Sequence, residues 1–347
     1  MTLKDVARKA NVSPVVVSKV LHGKLDGIRV SPATAERVRE AARELDYRVN
    51  IWARNFRAQR AMMIGVLNGR GIDRPLFSTG PRYFATLLDG IVEGAFKHDY
   101  SVALCPQLLE GNPLDAVSDG RFAGLVWYSI APSPTNLEAL ASCTVPSVIA
   151  HARASTFGNR HATVICDNQQ GIGLAINHLV ERGHHRIAFA TENDALNVES
   201  GERLEGYRWH MQRHGLSVQA SDVLDFRRNR HELHKYLSDG PRHTAIVAHA
   251  DGLAADIIRL ATEYGVRIPE DLAVVGFDST EFCDELRPTL TSVSQPLYDI
   301  GKTAVELLIN LVEGVPAERL ELVLPCRLDV RGSTDFVCSE VGVGDFL

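Results

Sequence analysis

The 347-residue chain has no run of 18 uncharged apolar residues and no apolar segment behind its opening Met1-Thr2-Leu3-Lys4-Asp5. Neither a membrane-spanning helix nor a secretory leader is therefore expected. Its six cysteines, Cys105, Cys143, Cys166, Cys283, Cys326 and Cys338, form no CxxC pair, which argues against a zinc ribbon or a thioredoxin-type motif and favours buried reduced thiols. P-loop, GxSxG and HExxH motifs are missing, and the glycine-rich Asn68-Gly69-Arg70-Gly71 lacks the GxGxxG spacing of a dinucleotide fingerprint. Thirteen histidines include His178 with His184 and His185, and His243 with His249, but none stands in a convincing ligand set, so capping or packing is expected rather than a metal site. No cofactor, no metal and no catalytic group is expected, because an enzyme needs an acid, a base and a nucleophile gathered at one place.

Positive charge is in deficit over the whole chain, with a formal net charge of −6, yet it is concentrated at one end. Residues 1–60 carry 13 Lys and Arg against 6 Asp and Glu, and the other 287 residues carry 24 against 37. A basic arm on an acidic body points to a polyanionic partner. The length suits a small module followed by a large α/β body.

The basic arm reads as three helices. Leu3, Val6, Ala7 and Ala10 recur at helical spacing over 3–10, with Thr2 and Asp5 placed as a capping box. Ser13-Pro14 starts a second helix to about 21, and Ser31-Pro32 a third over 32–45 that buries Ala35, Val38, Ala42 and Leu45. Gly23 is expected to end the second helix, with an exposed loop following to residue 30. Two short helices joined by a tight turn have the proportions of a DNA-reading helix-turn-helix, although a structural bundle with solvated charges would share the basic excess.

Leu3-Lys4-Asp5-Val6-Ala7, Val12-Ser13, Val17-Ser18-Lys19-Val20-Leu21, Arg29-Val30-Ser31-Pro32 and Leu45-Asp46-Tyr47 occur in the order, and nearly the spacing, of the LacI/GalR family, which this chain resembles. The resemblance implies base contacts in the major groove from Pro14, Val15 and Lys19, and phosphate contacts from Ser13 and Ser18 with Arg29 nearby. The family usually has Thr where this chain has Val16 and Arg where it has Lys19, which removes one hydroxyl and makes guanine reading less bidentate. It further implies a hinge helix over Asn50, Ala53, Arg54, Phe56 and Arg57, with Phe56 as a minor-groove wedge, Ala53 permitting close pairing of two hinges, and the arginines gripping backbone. An ordinary linker, with Phe56 packed on the body, is the alternative.

From residue 61 onward, apolar runs at 61–67, 101–105, 124–128, 147–150, 186–190, 244–248 and 272–276 alternate with helical patterns at 84–98, 170–182, 204–214, 253–264 and 298–313. Such alternation predicts parallel sheets with helices on both faces. The segments 162–168 and 291–296 read as crossings between two sheets. Together with the resemblance, this predicts a two-lobed periplasmic-binding-protein-like body behind an all-α headpiece. The expected division is 1–47 headpiece, 48–60 hinge, 61–334 body and 335–347 tail, with lobe 1 at about 61–163 and 293–323 and lobe 2 at about 164–292 and 324–334. Further family strings are His178-Leu179-Val180-Glu181-Arg182-Gly183-His184, Arg203-Leu204-Glu205-Gly206-Tyr207, Val274-Val275-Gly276-Phe277-Asp278 and Arg331-Gly332-Ser333-Thr334, so the likeness covers almost the whole chain.

By that resemblance Arg203 and Asp278 are the strongest effector ligands, followed by Asp251, Tyr83, Phe84 and the strand-end residue Ser129, with His151 standing where the family has Asp and Ala250 where it often has a polar residue. Arg203 and Asp278 would also suit a structural ion pair, and Phe84, Trp127 and Tyr128 would suit a core. The function implied is a cytoplasmic, nucleoid-associated repressor. It would bind a palindromic DNA operator as a homodimer under control of a small molecule, with a sugar or sugar derivative expected. The competing reading is a sugar-binding or sugar-processing protein on the same fold. The tail carries no leucine heptads.

Overall fold

A computed structural model describes residues 1–22, 29–47, 61–68, 83–105, 120–128, 145–151, 153, 161–192, 198–226, 230–315 and 319–336. The chain divides into two compact units, Met1–Ala61 and Met62–Leu347.

In the first unit, Thr2 and Asp5 form the expected capping box. Asp5 Oδ2 accepts from Thr2 N at 2.9 Å, and Thr2 Oγ1 accepts from Asp5 N at 3.3 Å. Helix α1 (Leu3–Ala10) ends on Asn11, whose φ of 50° lets its N–H turn back to the Ala7 and Arg8 carbonyls. Helix α2 (Pro14–His22) is capped by Ser13 Oγ, which accepts from Val16 N at 3.4 Å. Helix α3 (Pro32–Glu44) is capped by Ser31 Oγ, which accepts from Thr34 N at 3.2 Å. Their shared core is Val6, Ala7, Ala10, Val17, Val38, Ala41 and Ala42. Ala35 is only half-buried and Ala41 takes the buried place expected for it, because both flank the 38/42/45 stripe and packing against α1 and α2 selects the 41 side.

Among the described residues the second unit contains two sheets of six strands. The first forms from β1 (Met63–Asn68), β2 (Ser101–Cys105), β3 (Gly124–Tyr128), β4 (Ser147–Ala150) and β5 (Ala162–Cys166), closed by β11 (Glu321–Leu324), in the order β11-β5-β4-β3-β1-β2 and parallel throughout. The second comprises β6 (Ile187–Thr191), β7 (Val223–Asp225), β8 (Ala245–Ala248), β9 (Ala273–Asp278), β10 (Thr291–Ser294) and β12 (Arg327–Asp329), in the order β12-β10-β9-β8-β6-β7, with only β12 antiparallel. The helices are α4 (Tyr83–Lys97), α5 (Asn168–Glu181), α6 (Val198–Arg213), α7 (Arg230–Ser238), α8 (Asp251–Glu263), the single turn α9 (Phe282–Glu285) and α10 (Leu297–Val312).

The expected crossings at 162–168 and 291–296 are themselves strands for most of their length. All five residues of β5 are buried, as both-face burial in a parallel sheet requires, and the chain changes sheets after β5 and β10. A third passage follows β11 and leads into β12. Helix α6 begins six residues before the expected 204. Its first turns carry Glu199, Ser200, Glu202 and Arg203 on partly or wholly buried sites, so they show no apolar period.

In lobe 1, α4 and α10 approach backbone to backbone. A Cβ on Gly90 would lie 2.0 Å from the Tyr298 carbonyl oxygen, and one on Gly301 would lie 2.1 Å from that of Leu87. In lobe 2 the Arg331–Thr334 string acts as a clasp. Ser333 Oγ donates to the Val274 carbonyl at 2.6 Å, Thr334 Oγ1 pairs with His178 Nε2 at 2.8 Å, and Arg182 Nε donates to the Thr334 carbonyl at 2.9 Å. His178 and His184 are buried packing residues, each pushed down to about 4 by burial, with Arg182 adding to the effect. Among the described residues no helix is long and apolar enough to cross a membrane, and no three His, Cys, Asp or Glu side chains are arranged to hold a metal ion.

Candidate functional site

On the headpiece, the first turn of α2 presents Ser13, Pro14 and Val15 to solvent, and Val15 is 50% exposed although apolar. Val17, on the opposite side, is fully buried and anchors the helix. Ser18 and Lys19 are half-buried one turn on, and Arg29 is exposed. An exposed helix start with short side chains is shaped to approach a base edge closely. Asn50, Ala53, Arg54, Phe56 and Arg57 lie outside the described residues, as does Ser129.

In the body, Tyr83, His151, Arg203 and Asp278, which are far apart in sequence, come together between the two sheets near strand C-terminal ends. Tyr83 Oη lies 3.1 Å from His151 Nδ1, and that nitrogen lies 3.3 Å from Glu199 Oε1, joining lobe 1 to α6 of lobe 2. His151 adopts φ 68°, a conformation that ordinary side chains avoid, directly after β4. Arg203 is 4% exposed. Its Nε donates to Asn168 Oδ1 at 2.9 Å and its Nη1 to the His249 carbonyl at 2.6 Å, while its guanidinium carbon stands 3.7 Å from the Phe277 ring centroid. Two carboxylates flank it, Glu199 at 3.8 Å and Asp278 at 3.9 Å.

These neighbours set the charges. Burial opposes ionisation of Glu199, but His151 and Arg203 outweigh it and hold the carboxyl below its usual range. Burial pushes Asp278 up to about 8 against the pull of Arg203, with Asp251 and Glu199 adding to the rise. Burial also lifts the Tyr83 phenol well above its ordinary value, with Glu199 contributing, so it remains a neutral donor. A second polar bridge joins the lobes outside this group: Arg153 pairs with Glu202 of α6, and its Nη1 donates to Glu321 of β11 at 2.9 Å.

Residues 2–50 match the bacterial regulatory proteins of the lacI family, and residues 176–334 match the periplasmic binding protein-like domain. The HTH-type transcriptional repressor CytR of Escherichia coli strain K12 is 30% identical over 345 residues, covering 96% of this chain and 96% of that protein. Among solved structures, the lac repressor dimer bound to operator and the anti-inducer ONPF superposes with a TM-score of 0.75 at 26% identity, covering 96% of this chain and 99% of that one. The complex of the transcriptional regulator CelR with cellobiose gives 0.68 at 26%, with the same coverage. The chain belongs to the LacI family. It is a DNA-binding transcriptional regulator and not an enzyme.

In this LacI-family regulator the expected cleft residues divide into two groups. Tyr83, His151, Arg203 and Asp278 share one polar cluster. Phe84 stands behind it, edge-on to Tyr83 at 5.0 Å and to Tyr128 at 5.5 Å, against the lobe 1 core. Trp127 and Tyr128 are buried. Asp251 raises Asp278 through its charge, while its hydrogen bonds run to other partners. Its carboxylate accepts from Ser292 Oγ at 2.5 Å, Cys283 Sγ at 3.1 Å and Thr280 N at 3.3 Å, which ties α8 to neighbouring β10 and α9. Glu199, Glu202, Asn168, Arg153 and Gln295 were missed in the sequence. Glu199 and Arg203 stand one helical turn apart, a spacing that would have exposed the pair had the helix been started at Val198.

Proposed function

We propose that this regulator represses transcription in the cytoplasm, on nucleoid DNA. It binds a palindromic operator as a homodimer, and a sugar-sized effector bound at the Tyr83–His151–Arg203–Asp278 cluster sets its affinity. The observation that carries the effector site is Arg203, a buried cation flanked by two carboxylates and stacked on an aromatic ring where strands from both lobes end. Open α/β sheets bind small molecules at such strand ends, and a polar group closed between lobes responds to whatever completes its hydrogen bonds. The lac repressor structure is a dimer on its operator, and the CelR structure holds cellobiose, which supports both halves of the reading.

Twofold DNA calls for a twofold protein, so each headpiece reads one half-site through Ser13, Pro14, Val15, Ser18, Lys19 and Arg29. The hinge, with Asn50, Ala53, Arg54, Phe56 and Arg57, couples effector to operator: ligand changes lobe closure, and closure changes the stability of the paired hinges. Ser129, following β3, belongs to the same proposed lining.

The test is a thermal-shift screen of the purified protein against sugars, sugar phosphates, nucleosides and purines, followed by operator binding with and without each hit. A ligand that binds the folded state alone raises the melting temperature. A hit that shifts melting and operator affinity, with both responses lost in Arg203→Lys, is the expected result. A hit that survives in Arg203→Lys places the effector elsewhere. For the hinge, Phe56→Ala is expected to weaken specific binding more than nonspecific binding, and equal losses rule out the wedge.

A further inference from the structure

Arg153 stands just beyond β4 in lobe 1, outside the effector cluster, and binds one carboxylate from each lobe. Its Nε donates to Glu202 Oε1 on α6 of lobe 2, and its Nη1 donates to Glu321 Oε1 at the start of β11 in lobe 1 at 2.9 Å. A lysine has no such reach, because a single ammonium lacks the fixed fork that spans two acceptors. The side chains of Arg153 and Glu202 are 34% and 19% exposed, so solvent screens the pair and its contribution to stability is small. Its effect lies instead in what it orients.

Glu202 is held at both oxygens. Oε1 takes Arg153, and Oε2 accepts from Asn168 Nδ2 at 2.8 Å. A carboxylate paired with a guanidinium only accepts, so the Asn168 amide must turn its NH2 towards Glu202 and its oxygen away. That oxygen is the acceptor for Arg203 Nε at 2.9 Å. The reversed amide would set donor against donor at Arg203 and acceptor against acceptor at Glu202. Asn168 is 1% exposed and opens α5, directly after the chain leaves lobe 1 behind β5. A continuous chain of hydrogen bonds thus runs from Glu321 on the border strand of lobe 1, through Arg153, Glu202 and Asn168, to the buried cation of the cluster. Parting of the lobes takes Arg153 from Glu202 and leaves the amide free to turn.

On the reading of this cleft as an effector site, we propose that Arg153 is its positioning residue. By holding Glu202 it fixes the Asn168 amide, keeps the Arg203 guanidinium in its plane against Phe277, and ties that arrangement to closed lobes. An effector that needs Arg203 so placed binds the closed fraction alone, and its apparent affinity follows that fraction.

The Nε–Hε signals of isotope-labelled arginine in the full-length, ligand-free protein test this. The Arg203 signal is identified by its disappearance in Arg203→Lys. In Arg153→Ala, and separately in Glu202→Ala, exchange of the Arg203 Hε proton with water is expected to quicken by at least about fivefold, the loss of roughly one hydrogen bond. Arg182, whose Nε donates to the Thr334 carbonyl at 2.9 Å, is the control and should keep its rate, whereas a general loosening of lobe 2 moves both. The double variant should match Glu202→Ala alone, because Arg153 acts through that carboxylate. An unchanged Arg203 rate, an equal quickening of Arg182, or effects that add in the double variant overturns the proposal. A thermal-shift arm reads the coupling to ligand. A sugar or nucleoside whose stabilisation is lost in Arg203→Lys is expected to bind Arg153→Ala at least about fivefold more weakly than the parent protein, and equal binding overturns the positioning role. If no compound depends on Arg203, the effector reading fails, while proton exchange still decides whether Arg153 orients Arg203.

Discussion

The guanidinium of Arg203 lies flat enough on Phe277 for its central carbon to sit 3.7 Å from the ring centroid, and both residues are buried. A lysine keeps the charge but has no planar face for the ring and no fork for Asn168 and the His249 carbonyl. Arg203→Lys is therefore expected to stay folded with a lowered urea midpoint and to lose its effector response. Arg203→Ala removes the buried cation that flanks Glu199 and Asp278 and is expected to cost about 3–5 kcal/mol. Chemical denaturation of both variants checks the order. Equal stability of the two would mean that the positive charge at this position contributes nothing to the fold.

Gly90 and Gly301 let α4 and α10 touch through their backbones, so a methyl at Gly90 meets a carbonyl that cannot swing aside. Gly90→Ala is expected to destabilise the body by about 1–3 kcal/mol or to prevent folding. The isolated headpiece contains neither helix, and its melting serves as the control. An unchanged transition for the full-length variant would show that the two helices can slide apart at no cost.

Acid should unfold the body in a defined window. His178, His184 and His249 are each pushed down to about 4, mainly by burial, whereas an unfolded imidazole titrates near 6.5. Between those values the unfolded chain binds protons that the fold refuses, so this contribution is complete above pH 6.5 and is lost as pH falls toward 4. Asp278, raised to about 8, works the other way, because unfolding releases its proton over the same range. Among these four groups the net uptake on unfolding is about two protons near pH 5. Urea midpoints measured from pH 7 to pH 4.5 read that slope, and a flat profile would show that the imidazoles are protonated in the fold.

Val15 is exposed and Val17 is buried on the same helix, so the two substitutions separate reading from folding. Val15→Ala is expected to leave headpiece melting unchanged and to lower operator affinity by about 1 kcal/mol, with nonspecific affinity retained. Val17→Ala is expected to lower melting directly. Fluorescence anisotropy on operator and on scrambled duplex decides. A parallel loss on both duplexes after Val15→Ala would remove Val15 from sequence reading.

The sequence made some of this legible and hid the rest for physical reasons. Thr2, Ser13 and Ser31 announced the headpiece helices because caps are local chemistry. Strands such as Gly124–Tyr128, buried on both faces, stood out as apolar runs. The start of α6 did not, since its inner face carries Glu199, Ser200 and Arg203 and offers no apolar period. Strand β5 reads as a crossing in the sequence because the change of sheet follows it at once. Asp251 fitted a binding pattern by position, but only the fold shows Ser292, Cys283 and Thr280 using its oxygens. The Glu199–His151 contact joins residues 48 positions apart and had no local signature.

The three passages between the sheets bear on how the protein is made. Strand β11 borders one sheet and β12 borders the other, and Ser333 and Thr334 fasten the second only after both have been laid down. A ribosome must therefore deliver nearly the entire chain before either lobe is whole, while the three-helix headpiece is complete once residue 47 has emerged. A nonsense mutation anywhere in the twenty or so residues before Glu321 would leave an intact DNA-reading module attached to two unfinished sheets. Such a product would be handled by the cell as a clearance problem and not as a weaker repressor.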